Sequence, residues 1–378
     1  MSFEWLYLYA IPFMVVLTIV VFVHELGHFL LARWNGVKVE VFSIGFGPEL
    51  FGFNDRMGTR WKFSAIPMGG YVRMFSDADL ASRPDNEAMA EMTAEERAYS
   101  HHHKTVWQRI QISVAGPLSN YIFGILLLTV VFAIYGEEVP KDDPVLGFVS
   151  SAGVAGQSGL KVGDRIISID NHQVTSFKSM RDFVREHPAV ALDVVIERDG
   201  KQEHVTVTPK AVTEENADGK TIHPGQLGVG PTTRFENKNI LQAFGSGVYY
   251  AYDLTATTLG SIGGMLTGSK SAEGLTGPIG IAKLTGDKAM TDVRAFLWFI
   301  AFLSINLGFV NLLPVPVLDG GHLLFYFIEA ARGRPLSEKT QERAFLVGLV
   351  LILSLVLFTT YQDIGNINLI QRITSFFN

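Results

Sequence analysis

The sequence predicts a polytopic α-helical membrane protein with four transmembrane helices, an inserted α/β domain on the outer, periplasmic side, and membrane-associated β-hairpins on the inner, cytoplasmic side. Three observations carry this. The chain has 378 residues, 48% hydrophobic and only 18% charged, whereas soluble domains run about 25% charged. Its mean hydropathy, +0.24, is nonetheless too low for a chain lying wholly in lipid. The apolar residues gather in four stretches, each near the roughly 20 residues that cross about 30 Å of hydrocarbon.

The first span is Trp5–Ala32, within a region 1–33. It could be mistaken for a signal peptide, but it lacks a basic leading segment and carries His24, Glu25 and His28 near its end, so it reads as retained. Region 34–109 follows as an inner loop of strand-like pieces: Val37–Ile44, the breaker Gly45-Phe46-Gly47-Pro48, Arg60–Ile66, and Gly70–Phe75 beyond Pro67-Met68-Gly69-Gly70. Alternating apolar residues bounded by Gly and Pro read as hairpins. Ser76–Ser100 is polar and acidic and reads as a mobile surface stretch. His101-His102-His103 has the composition of a metal tract, but its position predicts a solvated juxtamembrane loop.

The second span is Ile110–Tyr135, in region 110–136. In the outer segment, Val145–Val149, Val190–Arg198 and Gln202–Thr208 read as strands, the last two joined by an Asp199-Gly200 turn, and Phe177–Glu186 as a helix. Region 232–294 is rich in Gly, Thr and Ser with amphipathic character, which suits helices at a membrane surface; the sequence leaves its form open. The third span, Ala295–Leu318 with a continuation Leu323–Ile328, fills region 295–331. A basic loop 332–343 with Arg332, Arg334, Lys339 and Arg343, a fourth span Ala344–Tyr361 in region 344–362, and a tail 363–378 complete the chain. The basic loop, with Arg33 and Lys38 after the first span, sets those segments inside and both termini outside. A bacterial inner membrane with residues 136–294 in the periplasm is the simplest assignment.

Bulk chemistry excludes several classes. With no cysteine, thiolate zinc sites and cysteine nucleophiles are absent, and His, Asp and Glu remain as metal ligands. A formal net charge of −6 and a pI near 5.9 argue against nucleic acid as a partner.

His24-Glu25-Leu26-Gly27-His28 is HExxH. Histidines at i and i+4 of a helix share a face and can bind one Zn2+, with Glu25 placed as general base. Ionisable residues inside an apolar span are functional by default, because each carries a penalty of a few kcal/mol. Nine residues separate His24 from Arg33, about 13 Å of helix, so the site lies well inside the inner leaflet. A catalytic zinc needs three protein ligands and an open position. The intramembrane candidate for the third is Asp319, in Asn311-Leu312-Leu313-Pro314-Val315-Pro316-Val317-Leu318-Asp319-Gly320-Gly321-His322; His322 is a rival. Spans one and three run in the same direction, which brings the two motifs to similar depth. Pro314 and Pro316 break the helix there.

Two resemblances follow. Gly159-Leu160-Lys161-Val162-Gly163-Asp164-Arg165-Ile166-Ile167-Ser168-Ile169-Asp170-Asn171 resembles the signature of bacterial PDZ domains, which implies a PDZ domain at 141–231 with a groove for a substrate C-terminus or a regulator. HELGH, Ala115-Gly116-Pro117-Leu118-Ser119-Asn120, Ser304-Ile305-Asn306-Leu307-Gly308-Phe309-Val310-Asn311 and LLPVPVLDGGH together resemble the site-2 protease family of intramembrane zinc metalloproteases, above all its bacterial members that regulate sigma factors. Gly274-Leu275-Thr276-Gly277-Pro278-Ile279-Gly280-Ile281-Ala282-Lys283 also looks like that family's segment before the third span.

The resemblance implies regulated intramembrane proteolysis: site-2 cleavage of single-pass membrane proteins such as anti-sigma factors within the lipid bilayer, after a first periplasmic cut. By its pattern His24, His28 and Asp319 bind zinc and Glu25 is the base. Asn306 and Asn311 face the substrate, and the hairpin at Gly69, Gly70 and Tyr71 adds to its unwound backbone as a strand. Members often carry two tandem PDZ domains; this sequence shows one. Two other classes are alternatives, a non-proteolytic PDZ-containing membrane scaffold and a metal transporter. The scaffold has no use for Glu25 between two histidines, and a transporter spreads ligands along a path.

Overall fold

A computed structural model describes residues 5–77, 86–151, 153–215, 221–269 and 275–366. The chain forms two compact units, one of Met1–Val131, Ile240–Ser261 and Ala272–Asn378, the other of Phe132–Asn239 and Ile262–Ser271.

The first unit holds the apolar helices. Helix α1 (Ile11–Trp34) follows a π-helical turn at Leu6–Ala10, and α2 (Val106–Tyr135) starts four residues before its expected span. Four helices among the described residues are long and apolar enough to cross a membrane: Leu6–Trp34, Val106–Tyr135, Val293–Leu312 and Glu338–Gly365. Their outer faces carry exposed apolar side chains such as Ile122, Leu126, Leu349 and Leu353, as a helix in hydrocarbon requires. The protein is therefore a multi-pass membrane protein.

Region 34–109 forms β1 (Val39–Asn54) and β2 (Arg60–Met74). Each folds back on itself, so that Val41–Ile44 pair with Gly70–Arg73 on one side and Arg60–Phe63 on the other, while Glu49–Asn54 pair with Arg60–Ser64. The predicted strand pieces are segments of this sheet, and Glu49–Asn54 is one that sequence reading missed. The Gly-rich breakers are its folds: Gly45, Gly47 and Gly69 have φ between 86° and 88°, where only glycine is unstrained. Phe42 and Trp61 stack at 4.3 Å and Phe29 of α1 meets Phe42 edge-on at 5.4 Å, which packs the sheet onto α1.

The stretch expected to be mobile is partly helical. Its residues 78–85 lie outside the described residues, but Asn86–Glu91 and Ala94–Tyr99 are short helices, the second held by a Thr93–Glu96 capping box. The juxtamembrane histidines also depart from expectation: His101 is 4% exposed, because the turn His101–His103 packs inward.

In the second unit, β3 (Glu137–Pro140) and β4 (Leu146–Val149) precede β5 (Arg165–Ile169), α3 (Phe177–Glu186), β6 (Leu192–Arg198), β7 (Lys201–Val207), β8 (Val229–Pro231) and β9 (Thr233–Glu236). His172–Gln173, β5, β6 and β7 make a four-stranded sheet in that order. The β6–β7 turn at Asp199 and Gly200 has positive φ at both residues, as a two-residue hairpin demands. β8 pairs with β4 and β9 with β3, so the ends of the inserted segment lie side by side. Its core gathers Leu146, Ile166, Ile169, Leu192, Ile196 and Val207.

Region 232–294, whose form the sequence leaves open, supplies α4 (Ile240–Leu266) and α5 (Pro278–Thr291). The third span becomes α6 (Val293–Leu312), an irregular hexapeptide, and α7 (Asp319–Arg332). The break falls at Pro314 and Pro316, neither of which has an N–H to give the helix an i→i−4 bond. Helix α8 (Glu338–Asn366) ends the described chain; the expected tail lies outside the described residues from 367 onward.

Candidate metal centre

His24 and His28 stand one turn apart on α1 with their rings 4.8 Å apart, edge to face. Their Nε2 atoms are 3.1 Å from each other. Asp319, the first residue of α7, brings Oδ2 to 3.0 Å from His24 Nε2 and Oδ1 to 3.3 Å from His28 Nε2. Both histidines are buried.

Proton positions decide what this cluster can hold. His28 Nδ1 lies 2.8 Å from the Ile112 carbonyl, which can only accept, so Nδ1 carries the proton and, in the neutral ring, Nε2 presents a lone pair. That lone pair faces a carboxylate oxygen and a second imidazole nitrogen. Three electron-rich atoms converge in a buried space, an arrangement a cation satisfies. With bonds of about 2.0–2.2 Å, the edges of a tetrahedral zinc site are about 3.4 Å, close to the separations here. Two imidazoles and a carboxylate are a zinc-type donor set.

The second imidazole has a partner that sequence reading missed. Asn120 on α2 is fully buried; its Nδ2 is placed 3.3 Å from His24 Nδ1 and its Oδ1 has no hydrogen-bond partner. Amide nitrogen and oxygen are distinguished by their hydrogen bonds. For Nε2 of His24 to ligate a metal, its Nδ1 must carry the proton. The turned amide, with Oδ1 accepting that proton, then gives the orphaned oxygen a bond. Gly116, on the same helix, is also needed: a Cβ there would run into both rings, with His28 Cε1 at 2.7 Å and His24 Nε2 at 2.8 Å. Ala115–Asn120 carried part of the family resemblance, but nothing in its pattern revealed these contacts.

A cavity of about 250 Å³ opens onto the cluster, lined by His24, Glu25, His28 and Asp319. Glu25 receives the backbone amide of Val72 on β2. Gly70, Tyr71 and Asn311 also line the cavity; Gly69 and Asn306 do not. Asn306 instead donates Nδ2 to the Phe302 carbonyl at 2.9 Å, one turn back on α6. His322 lines the cavity without joining the three-atom cluster. Gly320 and Gly321 permit the tight approach of α7 to the hexapeptide, since a Cβ on Gly321 would meet Val315 O at 2.5 Å. Val317 has φ of +96°, unfavourable for a β-branched residue. That strain sits two residues from Asp319, in a segment that positions it.

Comparison with known proteins accords with this geometry. Residues 12–355 match the profile of Peptidase family M50. A relative from Agrobacterium fabrum with a zinc-metalloprotease name is 40% identical over 364 residues, covering 95% of this chain and 96% of its own. Metalloprotease MmpA of Caulobacter vibrioides is 37% identical, with 96% of each chain covered. The Regulator of sigma-W protease RasP of Bacillus subtilis is 33% identical, over 94% of this chain and 98% of its own. Among solved structures, a PDZ domain from Listeria monocytogenes covers 24% of this chain and 88% of its own at 21% identity, with a TM-score of 0.19, too low to carry an argument. The apolar helices, the His/Asp cluster and these near-full-length matches lead to one conclusion: this chain belongs to Peptidase family M50 and is a membrane zinc metalloprotease.

Proposed function

We propose that the protein is a site-2 protease of the bacterial inner membrane that cuts single-pass membrane proteins within their spans, after a first cut on the periplasmic side. The observation that carries this reading is the convergence of His24, His28 and Asp319 beside Glu25 in a cavity bounded by apolar helices. His24, His28 and Asp319 would hold the zinc and Glu25 would be the general base. Bound there, zinc polarises a carbonyl and brings the pKa of water to about 7.

The residues around it divide the remaining work. Glu25 takes the proton of the attacking water and delivers it to the leaving amine. Asn120 and the Ile112 carbonyl fix the tautomers of the ligand histidines. A helical substrate shields its carbonyls, so the scissile stretch must unwind. The Gly70–Met74 segment lies at the edge of its sheet and suits strand addition, with Gly69, Gly70 and Tyr71 as the receiving stretch. Asn311 faces the cavity and is placed to hydrogen-bond that strand or the developing oxyanion; Asn306 is proposed to act once its bond to Phe302 opens.

Orientation follows from the basic loops: residues 34–109 and 332–343 inside, 136–294 and the C-terminal tail in the periplasm. Residues 141–231 are read as a PDZ domain, supported by the signature and by a groove of about 170 Å³ between α3 and the segment Gly225–Val229, lined by Met180, Arg181, Val184 and Leu227. A trimmed substrate C-terminus or a regulator would bind there. Anti-sigma factors are the proposed substrate class, in line with the sigma-W role in RasP's name.

The test is Glu25→Gln. Zinc content should stay at the wild-type level while cleavage of a reporter span stops, and unchanged cleavage would remove Glu25 from the chemistry. Asp319→Ala should lose zinc; full retention would take Asp319 out of the ligand set.

A further inference from the structure

The juxtamembrane histidines, expected in solvent, build a second cluster. His101–His103 form a 3-10 turn just before α2. His101 is 4% exposed, and among the described residues neither of its ring nitrogens has a hydrogen-bond partner, a state native interiors rarely leave uncompensated. Its Nδ1 lies 4.0 Å from Asp77 Oδ1, and His102 Nε2 lies 3.0 Å from the same oxygen. The Asp77 side chain is fully buried; its Oδ2 accepts from the Met74 amide at 3.1 Å, and its Oδ1 faces the two imidazoles. One ligand atom from each of the three residues lies within 4.8 Å of the others. His103 points elsewhere, with Nδ1 2.9 Å from Ser100 Oγ.

We propose that Asp77, His101 and His102 form a second divalent-metal site, distinct from the His24, His28 and Asp319 cluster. Two imidazoles and one carboxylate favour a borderline transition ion, zinc first, over calcium or magnesium, which demand oxygen ligands. A proton shared between Asp77 and His102 would account for that one hydrogen bond and leave His101 with two bare nitrogens. A metal accounts for all three side chains. Its position gives it a purpose. Asp77 follows β2, whose Gly70–Val72 line the cavity; His101 lines the same cavity and precedes α2, which carries Gly116 and Asn120. An ion here clamps the end of the sheet to the start of α2. The Ser76–Ser100 hydroxyl contact of 2.7 Å already draws the same two segments together.

The test counts zinc in full-length protein in detergent, dialysed against a weak chelator. Wild type should hold two equivalents, and so should the control His103→Phe. His24→Phe/His28→Phe should hold one, and adding His101→Phe should remove it. That background makes the result independent of the catalytic reading. Should it not fold, Asp77→Asn in the wild-type background decides, with two equivalents falling to one and at least a tenfold loss of affinity for that ion. A zinc count unchanged by His101→Phe or Asp77→Asn overturns the proposal.

Discussion

At the scale of single residues, the centre depends on protons as much as on ligands. His24 and His28 were legible because HExxH is local: four residues on one helix fix a shared face whatever surrounds them. Asn120 was not, because its contact with His24 spans 96 residues and exists only once α2 packs on α1. Its role is open to measurement. Asn120→Ala leaves the His24 tautomer unset and should weaken zinc binding by about 10–100-fold, read by chelator competition. Asn120→Asp, which can only accept at that position when ionised, should restore most of the affinity. Equal losses in both variants would show that Asn120 only fills space.

At the scale of elements, the apolar spans were readable to within about six residues at their ends because hydrocarbon dictates length. The β1–β2 sheet was readable in pieces, since the strand segments and their Gly/Pro folds are local signals, whereas the pairing of Val41–Ile44 on both edges is not. Region 232–294 was opaque for a different reason: its glycines look like loop residues, yet Gly247, Gly277, Gly280 and Gly286 serve as contact points. Asp363 on α8 accepts from the Gly277 amide at 3.1 Å and from the Gly280 amide at 2.8 Å, an anion at the N-terminus of α5. A Cβ on Gly280 would lie 2.7 Å from Asp363 Oδ1, so glycine is required for the contact. Asp363→Ala leaves two amides unpaired in a buried place and should destabilise the α5–α8 contact by about 1–3 kcal/mol. Hydrogen exchange at Gly280 and Ile281 should accelerate accordingly, with Asp363→Asn intermediate. Unchanged exchange in Asp363→Ala would exclude this capping role.

At the scale of the whole molecule, each compact unit has its own hydrophobic cluster, and different chemistry holds each together. Two-state unfolding is therefore not expected. The membrane unit carries the proposed metal ligands His24, His28 and Asp319, so chelation should lower its unfolding temperature. The other unit carries Asp164, 1% exposed, whose Oδ1 and Oδ2 accept from Arg198 at 2.8 and 2.7 Å. Burial pushes the Asp164 carboxyl up, but the Arg198 guanidinium and the Lys161 amide outweigh it and hold the group below its ordinary value. A depressed carboxylate contributes stability that is whole above the unfolded value of about 3.9 and is lost as pH falls through the folded one. Acid below about pH 4 should therefore loosen this unit, and Asp164→Asn should lower its stability at neutral pH by on the order of 2 kcal/mol while flattening that acid response. Hydrogen exchange followed separately in β5–β7 and in α1 distinguishes the two effects: chelator should accelerate α1 and spare β5–β7, and Asp164→Asn should do the reverse. Parallel acceleration of both segments by either perturbation would mean that the two units unfold as one.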